Sequence, residues 1–408
     1  MKLAIYTDSY LPSVDGVSAV CQAYARFLPQ EGIQCCVFAP AFPGCSTPGT
    51  VPISSLPLPG GFQYRLALPF ADSRLLRCEQ AFSPDIIHAH SPFAVGWRAV
   101  ATARRLHVPL VASFHTNYRA DFLRALHAPW AVRPLLKGIA AFYAAADEVW
   151  TMNPASASML RSYGYRGAIR LLPHGGAAHD GSEDAICRAS VFQQLPPDTS
   201  RLFFLYVGQI IHQKNIAQTL KALALLRGRL DFQMYFVGKG RDLEPLSALS
   251  KALGLADRVT FTGYLSDQMV RGLYLLADLF VFPSPYDTAG LVVSEAAAAG
   301  LPALVLRGSG AATGIIDRRN GFLCEDSPSG IAQAIWTACK DRSQLRRCGE
   351  AARKSLVIGW PDICHRAAKR YQALLSLSGT ADRRDRPRRT ESVQTRADRF
   401  SEAEWSGH

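Results

Sequence analysis

Long hydrophobic runs are missing from this chain of 408 residues. No uninterrupted apolar stretch reaches the roughly 18 to 20 residues that cross a bilayer. The acidic Asp8 also interrupts the N-terminal segment before the core of a signal peptide could form. We therefore expect a cytoplasmic protein, or one attached to the membrane from the cytoplasmic side. None of the 10 cysteines forms a C-x-x-C motif, so we expect reduced thiols.

Several motifs of metal and nucleotide chemistry are absent as well. Without a D-x-D motif, the chain lacks an acidic pair for a divalent cation on a diphosphate, and we expect no metal and no cofactor. The run Gly238-Lys239-Gly240 is followed by Leu243 where a dinucleotide fingerprint has glycine, and no P-loop is present. These absences argue against a dehydrogenase and an NTPase. His88-Ala89-His90 resembles half of a metal site, but we expect it to end a strand and face a cleft.

The length and the pattern of apolar runs predict two α/β domains. Strand-like runs alternate with helical stretches along the chain, with a polar connector from Gly176 to Ser200 between two such series. This pattern predicts two doubly wound domains with ligands at the carboxyl ends of the strands. The predicted domains are residues 1–180 and 181–358, followed by a helical segment at 359–379 and a disordered charged tail at 380–408. The predicted strands are Leu3–Tyr6, Cys35–Ala39, Ile86–Ala89, Leu110–Phe114, Glu148–Met152, Arg170–Leu172, Leu202–Gly208, Gln233–Gly238, Val259–Phe261, Leu279–Pro283, Ala303–Leu306 and Phe322–Cys324.

The net charge of +12 is concentrated in one part of the chain. Between Arg98 and Lys137 the only acid is Asp121, and basic residues alternate with tryptophan and leucine. Such a segment suits the surface of an anionic membrane, with a solvated basic face and nucleic acid as alternatives. No helix-turn-helix, RNP or zinc-finger pattern supports nucleic acid. The residues predicted to meet the membrane, and any substrate held there, are Arg119, Arg124, Trp130, Arg133 and Lys137.

The segment from Asp287 to Glu295 is the most informative motif in the chain. It follows an apolar strand-like run and opens an alanine-rich helical run at Ala296 to Gly300, with Gly290 between the two acids. A turn of this kind exposes backbone N–H groups to an anion, while the acids could hold hydroxyl groups on either side. Phosphate with polyol on both sides describes a nucleotide sugar. Alternatively, Asp287 is a turn residue and Glu295 a first-turn helix acid.

Three further motifs stand at the ends of predicted strands. The loop after the first strand places Gly16 at the start of a helix that runs to about Leu28. Lys214 follows the first strand of the second series, where it could face a diphosphate, and His115 ends a strand of the first series. Singly, Lys214 could be a surface lysine and His115 a core histidine. Together, motifs at strand ends in both halves indicate one shared crevice.

As a set, these motifs resemble glycosyltransferase family 4. The resemblance covers about residues 1 to 378, and its branch that glycosylates membrane lipids, such as diacylglycerol glucosyltransferases and phosphatidylinositol mannosyltransferases, is the most similar. It implies a GT-B fold of two Rossmann-like domains across a cleft, a last helix that crosses back to the first domain, and a retaining, metal-independent enzyme. The motifs that carry it are Pro12-Ser13-x-Asp15-Gly16-Val17-Ser18, Phe114-His115-Thr116-Asn117, Gly208…Lys214-Asn215, Gly238-x-Gly240, Phe261-Thr262-Gly263 and Asp287-x7-Glu295.

The resemblance also implies a role for each matching residue. Glu295 would hold the ribose of the donor, Asp287 the sugar hydroxyls, and His115 would lie near the reacting carbon. Lys214 would offset the charge of the diphosphate beside Gly16, and Asp287, His115 and Lys214 form the expected catalytic group. The base would stack at the turn of Gly263, Tyr264 and Leu265. The expected donor site further includes Gln209, Gly290, Leu291 and Val292.

Three departures from the family pattern are visible. Gln209 stands where the family usually has arginine, Asp287 replaces the commoner glutamate, and Thr313 occupies a position where relatives often carry a carboxylate. We expect a hexosyltransferase, with UDP favoured over GDP in the donor, glucose as the sugar, and diacylglycerol or a monoglycosyl lipid as acceptor. A soluble acceptor, and a nucleotide-sugar-binding protein with impaired catalysis, are the alternatives.

Overall fold

The structure is a computed structural model that describes residues 1–13, 15–58, 64–126, 128–176 and 181–380. Apart from Thr380, the predicted tail lies outside these residues. Helices and strands alternate along most of the described chain. The strands are β1 Lys2–Tyr6, β2 Gln34–Pro40, β3 Thr50–Ile53, β4 Ser55–Pro57, β5 Arg65–Ala67, β6 Ile86–Ala89, β7 Leu110–Phe114, β8 Glu148–Thr151, β9 Ile169–Leu171, β10 Leu202–Val207, β11 Phe232–Val237, β12 Val259–Gly263, β13 Leu279–Phe282, β14 Ala303–Leu306 and β15 Phe322–Cys324.

The helices lie between these strands and after the last one. Three short 3₁₀ helices, Leu28–Glu31, His212–Lys214 and Gly310–Ala312, occur in the same described residues. The α-helices are α1 Gly16–Phe27, α2 Ser73–Phe82, α3 Ala94–Leu106, α4 Tyr118–Leu126, α5 Pro129–Ala144, α6 Pro154–Ser162, α7 Asp184–Gln194, α8 Ile216–Leu226, α9 Leu243–Ala252, α10 Asp267–Leu276, α11 Leu291–Ala298, α12 Pro328–Cys339, α13 Arg342–Leu356 and α14 Trp360–Thr380.

Two parallel sheets organise the described chain. The first has the strand order β3-β2-β1-β6-β7-β8-β9 and the second β12-β11-β10-β13-β14-β15. Strand order reverses between β1 and β6 and again between β10 and β13. Ligands of open α/β sheets bind at such reversal points, outside the carboxyl ends of the strands. We therefore expect a ligand site at the loops after β1, β6, β10 and β13. We call the first sheet with its helices the first domain and the second sheet with its helices the second domain.

The strands form because their residues are apolar on both faces, as a sheet covered by helices on both sides requires. β10 has the sequence LFFLYV, and Phe204 and Leu205 at its centre are completely buried. In the second domain, Phe232 stacks on Phe204 and Phe282 stacks on Phe280 within one continuous core. Each fully buried side chain of this size stabilises the fold by about 1.5–3 kcal/mol.

The last helix, α14, crosses back to the first domain, as expected. Its buried side chains share a core with β1 and α1. The Tyr371 hydroxyl lies 2.6 Å from Nδ1 of the buried His88, and Arg370 forms an ion pair with Glu148 of β8. These contacts fix α14 on the first domain and confirm the predicted two-domain GT-B architecture.

Some sequence-based boundaries were wrong. The segment predicted as a polar connector contains α7, which packs against α10 of the second domain. α11 begins at Leu291 rather than at Ala296, because the apolar residues that follow Gly290 already have helical geometry. β3, β4 and β5 were not predicted, since the short runs that form them contain proline and polar residues. The predicted domain limits at 180 and 358 stay predictions.

Candidate active site

A buried ion pair lies where the loops after β10 and β13 meet. Nζ of Lys214 donates a hydrogen bond to Oδ1 of Asp287 at 2.5 Å, and Lys214 is only 8% exposed. The same Nζ lies 5.4 Å from the ring centroid of Phe282 and 5.2 Å from that of Tyr286. Aromatic faces attract a cation and hold it in place. Lys214 is therefore not a surface lysine but a fixed cation in the crevice.

Asp287 has an unused hydrogen-bonding atom. Its Oδ2 is buried and has no hydrogen-bond partner among the described residues. A buried acceptor without a partner costs about 1–3 kcal/mol, and more when it is charged. A buried carboxylate oxygen without a partner is rare in native proteins and indicates a ligand site. Such an oxygen accepts hydrogen bonds from hydroxyl groups.

The turn after Asp287 leads into an uncapped helix. Gly290 precedes α11 with a φ of 63°, and a Cβ there would lie 2.9 Å from Cβ of Ala311, so only glycine fits. No side chain caps the first turn of α11, whereas Asp15 caps α1 by accepting from the N–H of Ser18. The N–H groups at Leu291 and Val292 are therefore available to an anion, as the sequence predicted.

Gly16 lies opposite the start of α11. A Cβ built on Gly16 would come 3.7 Å from Cδ1 of Leu291, so the first turns of α1 and α11 approach each other closely. Gly16 belongs to the first domain and Leu291 to the second. The structure thus brings together the two loops that the sequence placed in one crevice.

Glu295 lies in the second turn of α11. The alternative of a first-turn helix acid was wrong, because the helix begins four residues before Glu295. Its Oε2 accepts a hydrogen bond of 3.1 Å from the hydroxyl of Tyr274 in α10. Burial raises the pKa of Glu295 and outweighs the lowering effect of this hydrogen bond. Tyr274 thus fixes the side chain in position while the other carboxylate oxygen remains for a ligand.

His115 belongs to a row of stacked histidines in the first domain. Its Nε2 lies 3.0 Å from Nδ1 of His90, and the two rings are nearly parallel at a centroid distance of 5.2 Å. On the other side, His174 lies 5.2 Å away from His115. Nδ1 of His115 and Nδ1 of His174 are buried and lack partners among the described residues. Nε2 of His90 is likewise buried without a partner, so three ring nitrogens of the row form no hydrogen bond within the described part of the chain.

The histidines of this row are neutral at physiological pH. Burial, reinforced by neighbouring histidines, holds the pKa values of His88, His90 and His115 well below the ordinary value. Burial alone lowers the pKa of His174 to about 4. A neutral imidazole has one donor and one acceptor nitrogen, so His115 can form a hydrogen bond with a hydroxyl group without bringing a positive charge to it. The prediction that the His88-Ala89-His90 motif faces a cleft was wrong, because both histidines are completely buried, His88 between Tyr371 and Ser113 and His90 beside His115.

The two domains touch at the site itself. The hydroxyl of Thr288 donates to the carbonyl oxygen of His115. In the other direction, Nδ2 of Asn153 donates to the carbonyl oxygen of Thr288 at 2.6 Å, and Oγ of Ser156 does so at 3.1 Å. Because Thr288 follows Asp287 directly, these bonds position the carboxylate relative to His115.

The remaining predicted donor residues line the second domain. Gln209 has an exposed side chain, and its carbonyl oxygen accepts from the hydroxyl of Tyr206 at 2.9 Å. Gly263 ends β12 with a φ of 73°, followed by Tyr264, which is 60% exposed. Leu265 packs against the core of the second domain. Exposed Tyr264 provides the aromatic surface on which a base could stack, while Leu265 is mainly structural.

The predicted membrane residues do not form one uniform surface. Trp130 is 83% exposed, and Arg133 and Lys137 lie three and seven residues further along α5, on the same side of the helix. Arg124 differs, because it forms an ion pair with Asp121 at 3.4 Å. Leu136, by contrast, is buried.

Four residues of the site were not predicted: Tyr274, Tyr286, Thr288 and His174. Tyr286 donates its hydroxyl to Asp121 of α4 at 2.8 Å. Tyr286 and Thr288 flank Asp287 in sequence, and His174 follows β9, so their positions at strand ends could have identified them. Tyr274 lies within a helix, and its sequence context carries no such signal. Thr313, a noted departure, donates to the carbonyl oxygen of Gly310 and stabilises its own turn.

Two Rossmann-like domains, with an uncapped helix start, a fixed lysine and the carboxylates of Asp287 and Glu295 where their loops meet, define a GT-B glycosyltransferase that uses a nucleotide sugar. Comparison with known families agrees. Residues 14–175 match the model described as Glycosyltransferase Family 4, and residues 188–355 match that of Glycosyl transferases group 1. The two models together cover most of the chain, one for each domain. The chain therefore belongs to the glycosyltransferases that combine these two domains, which confirms the resemblance drawn from its motifs.

Individual relatives are similar over most of the chain. A GDP-mannose-dependent alpha-mannosyltransferase of Mycolicibacterium smegmatis is 27% identical over 92% of this chain and 98% of its own. The alpha-monoglucosyldiacylglycerol synthase of Streptococcus pneumoniae is 24% identical over 74% of this chain and 70% of its own. Among solved structures, Anabaena Alr3699/HepE in complex with UDP has a TM-score of 0.74 at 18% identity, covering 91% of this chain and 100% of the other. Within the described residues, no helix is both long and apolar enough to cross a membrane.

Proposed function

We propose that the protein is a retaining hexosyltransferase that moves glucose from UDP-glucose to a membrane lipid, such as diacylglycerol or a monoglycosyl lipid. One observation carries the proposal: Oδ2 of Asp287 in the second domain and Nδ1 of His115 in the first are buried and lack partners among the described residues, while Thr288, next to Asp287, donates to the carbonyl oxygen of His115. An acceptor and a ring nitrogen around one space fit the hydroxyl groups of a hexose. Lys214 and the start of α11 lie beside that space and fit a diphosphate.

The diphosphate would lie on the N–H groups of Leu291 and Val292 with Gly16 opposite. Asp287 and the diphosphate would share Lys214, whose ammonium group would donate to the phosphate oxygens as well as to Oδ1 of Asp287 when the donor binds. As the bond from the anomeric carbon to the diphosphate oxygen breaks, negative charge grows on that oxygen. Fixed positive groups stabilise this charge without rearranging, which is usually the largest contribution to catalysis.

The acceptor hydroxyl would approach the same face of the sugar that the diphosphate leaves. Its oxygen forms the new bond to the anomeric carbon, and its proton passes to the departing diphosphate oxygen. Donor and product then have the same anomeric configuration. His115 contributes by holding a sugar hydroxyl while it stays neutral, and Asp287 does so from the second domain.

The other donor residues bind the nucleotide. The free carboxylate oxygen of Glu295 would accept from the ribose hydroxyls, since Tyr274 occupies only the other oxygen. The base would stack on Tyr264 near Gly263. Gln209 lacks a charge, and the guanidinium of Arg241 in the adjacent loop approaches Asp242 and His212 instead. Lys214 is thus the main cation for the diphosphate, and we propose that it replaces a metal ion.

The acceptor side would rest on an anionic membrane. Trp130, Arg133 and Lys137 share one side of α5, and Arg119 is exposed on α4. Exposed basic residues next to an exposed tryptophan suit the interface of an anionic leaflet. We propose peripheral attachment to the cytoplasmic face, consistent with the glycolipid product in the name of the pneumococcal relative.

GDP-mannose is a second candidate donor. It is favoured by the name of the mycobacterial relative, which matches this chain over nearly its full length. UDP is favoured by the complex of the Anabaena structure and by the glucosyl product named for the pneumococcal relative.

A screen of radiolabelled nucleotide sugars with membrane lipid extract tests the proposal. We expect transfer of label from UDP-glucose into the organic phase, and little from GDP-mannose. Label that enters only water-soluble products would contradict the lipid acceptor, and label from GDP-mannose alone would replace the donor.

A further inference from the structure

A groove runs along α5 in the first domain. It lies between α5 and the turn 162–167 that follows α6, with Arg119 and Leu123 of α4 at one end, and its cavity volume is about 900 Å³. Specific small-molecule sites enclose roughly 300–1,000 Å³. We call this cavity the α5 groove.

The floor of the α5 groove is apolar and buried. It consists of Val132, Leu136 and Ala140 from α5 with the rings of Tyr163 and Tyr165 opposite. The lining residues of α5 extend from Pro129 to Ala144, which corresponds to about 22 Å along the helix. One acyl chain spans about 15 Å, half of a bilayer's hydrocarbon core. The groove is therefore long enough for an acyl chain.

The rim of the α5 groove is basic. It carries Arg119, Arg133, Lys137 and Arg166, and no aspartate or glutamate lines the groove. Arg119 bridges one end, since its Nη2 donates to Oγ of Ser162 at 3.2 Å. Arg133 and Lys137 form no ion pair among the described residues. An apolar floor under an all-cationic rim fits a molecule with an apolar chain and an anionic head.

The position of the groove selects a lipid over an amphipathic peptide. Trp130 lies on the same side of α5 as Arg133 and Lys137, and Leu123 extends the apolar lining onto α4, where it is exposed. The groove thus opens into a surface that is itself apolar and basic, as expected where a protein meets a leaflet. Tyr118, the first residue of α4, follows three residues after His115, so the Arg119 end of the groove is the end nearer the crevice.

We propose that the α5 groove binds an anionic glycerophospholipid, with one acyl chain on the floor and the phosphate at the basic rim. This inference rests on the proposed membrane function and deepens it. A lipid drawn partly out of the leaflet would anchor the first domain and keep the crevice close to the membrane surface. The chemical class follows from the charge of the rim and does not depend on the identity of the acceptor.

Photolabelling of the full chain tests the site. The probe is phosphatidylglycerol with a diazirine on one acyl chain, used in vesicles and, separately, as a short-chain analogue that stays dissolved as monomers. We expect both probes to label residues 132–144 and 162–167. Ala141→Trp fills the groove from an exposed position and should lower this labelling at least about fivefold.

The matched control is Gly138→Trp, which adds the same side chain to the same helix. Gly138 is exposed, does not line the groove, and has no atom within 4 Å of a built Cβ. It should label like the wild type, and both variants should still sediment with phosphatidylglycerol vesicles. Labelling confined to other segments, or unchanged by Ala141→Trp, would overturn the groove, and an amphipathic peptide would then be its better occupant. Groove labelling by the dissolved probe without sedimentation of the wild type would support the groove and refute the membrane attachment.

Discussion

Tyr286 and Asp121 join the donor side of the crevice to the acceptor side. The hydroxyl of Tyr286 donates to Oδ1 of Asp121 at 2.8 Å, and the ring of Tyr286 lies against Lys214. Burial raises the pKa of Asp121, and the Tyr286 hydroxyl opposes this effect. Tyr286, which precedes Asp287, therefore contacts α4, the helix that carries Arg119. The position of α4 thus depends on the turn that contains Asp287.

Removing this contact should impair use of the acceptor more than binding of the donor. Tyr286→Phe deletes one hydrogen bond to the partly buried carboxyl group of Asp121, worth about 1.5–3 kcal/mol if that group is charged. We expect kcat/KM for the lipid to fall at least about tenfold, while donor affinity in calorimetry changes little. Tyr235→Phe is the control, since its hydroxyl contacts only a backbone carbonyl at 3.4 Å. Equal losses for donor and acceptor would contradict the coupling.

Glu295 should determine donor affinity. Glu295→Ala removes the carboxylate assigned to the ribose, and we expect the Kd for UDP to rise about 10- to 100-fold by calorimetry. Tyr274→Phe frees the carboxylate from its holding hydroxyl and should give a smaller loss. If folded Glu295→Ala binds UDP as the wild type does, Glu295 does not belong to the donor site.

Activity should survive a large excess of chelator, because Lys214 supplies the positive charge that a metal would provide. Lys214→Met keeps the length of the side chain but removes its charge, and we expect kcat to fall by about 10² to 10³. Initial rates with and without chelator provide the measurement. Loss of wild-type activity on chelation, restored by magnesium, would refute the metal-independent mechanism.

Membrane binding should depend on the exposed basic residues that form no ion pair among the described residues, and less on Arg124, which forms one with Asp121. Replacing Arg119, Arg133 and Lys137 by serine should cost up to about 3 kcal/mol of binding to phosphatidylglycerol vesicles, at about 1 kcal/mol each. Arg124→Ser removes the same type of charge from an ion pair with Asp121 and should have a smaller effect than any of the three. Trp130→Ala should weaken binding equally at low and high salt, since its contribution is apolar. Unchanged co-sedimentation of the triple variant would exclude this surface.

The histidine row should make the fold sensitive to mild acid. The folded pKa of His174 is about 4, below the ordinary value of 6.5. As pH falls below about 6.5, the His174 side chain is protonated in the unfolded chain but stays neutral in the folded protein. The free energy of unfolding therefore decreases between about pH 6.5 and 4. At pH 5 this loss amounts to at most about 2 kcal/mol. His174→Asn should lose less stability than the wild type between about pH 7.5 and 5 in urea unfolding; identical losses would show that His174 is not a buried neutral group.

Most of the fold could be predicted from the sequence because buried parallel strands are continuous apolar runs. β6, β7, β14 and β15 were predicted at their observed limits for this reason. β3 was missed because it is the edge strand of the first sheet, and β4 and β5 because they form a separate two-stranded antiparallel sheet of three residues each, too short for a clear apolar pattern. The start of α11 was placed too late, since Leu291 to Val293 read equally well as strand or helix.

The sequence placed the site residues on loops that the structure brings together, but it did not predict the side chains that hold them in position. Gly16, Lys214 and Asp287 follow β1, β10 and β13, strands that flank an order reversal, where ligands of open α/β sheets bind, and His115 follows the nearby β7. Tyr274 could not be found this way, because only the packing of α10 against α11 brings its hydroxyl to Glu295. The burial of Leu136 could not be predicted either, since a periodic leucine beside basic residues gives no information on which side of α5 is buried.

The anomeric configuration of the product tests the central claim most directly. Wild-type protein is incubated with UDP-glucose, whose glucose is α-linked, and the lipid acceptor, and the glycolipid is examined by proton NMR. We predict an α-glucosyl lipid, and about 10² less of it from Asp287→Asn, which keeps the shape of the side chain but loses its charge. A β-linked product, or an Asp287→Asn variant as active as the wild type, would contradict the proposed mechanism.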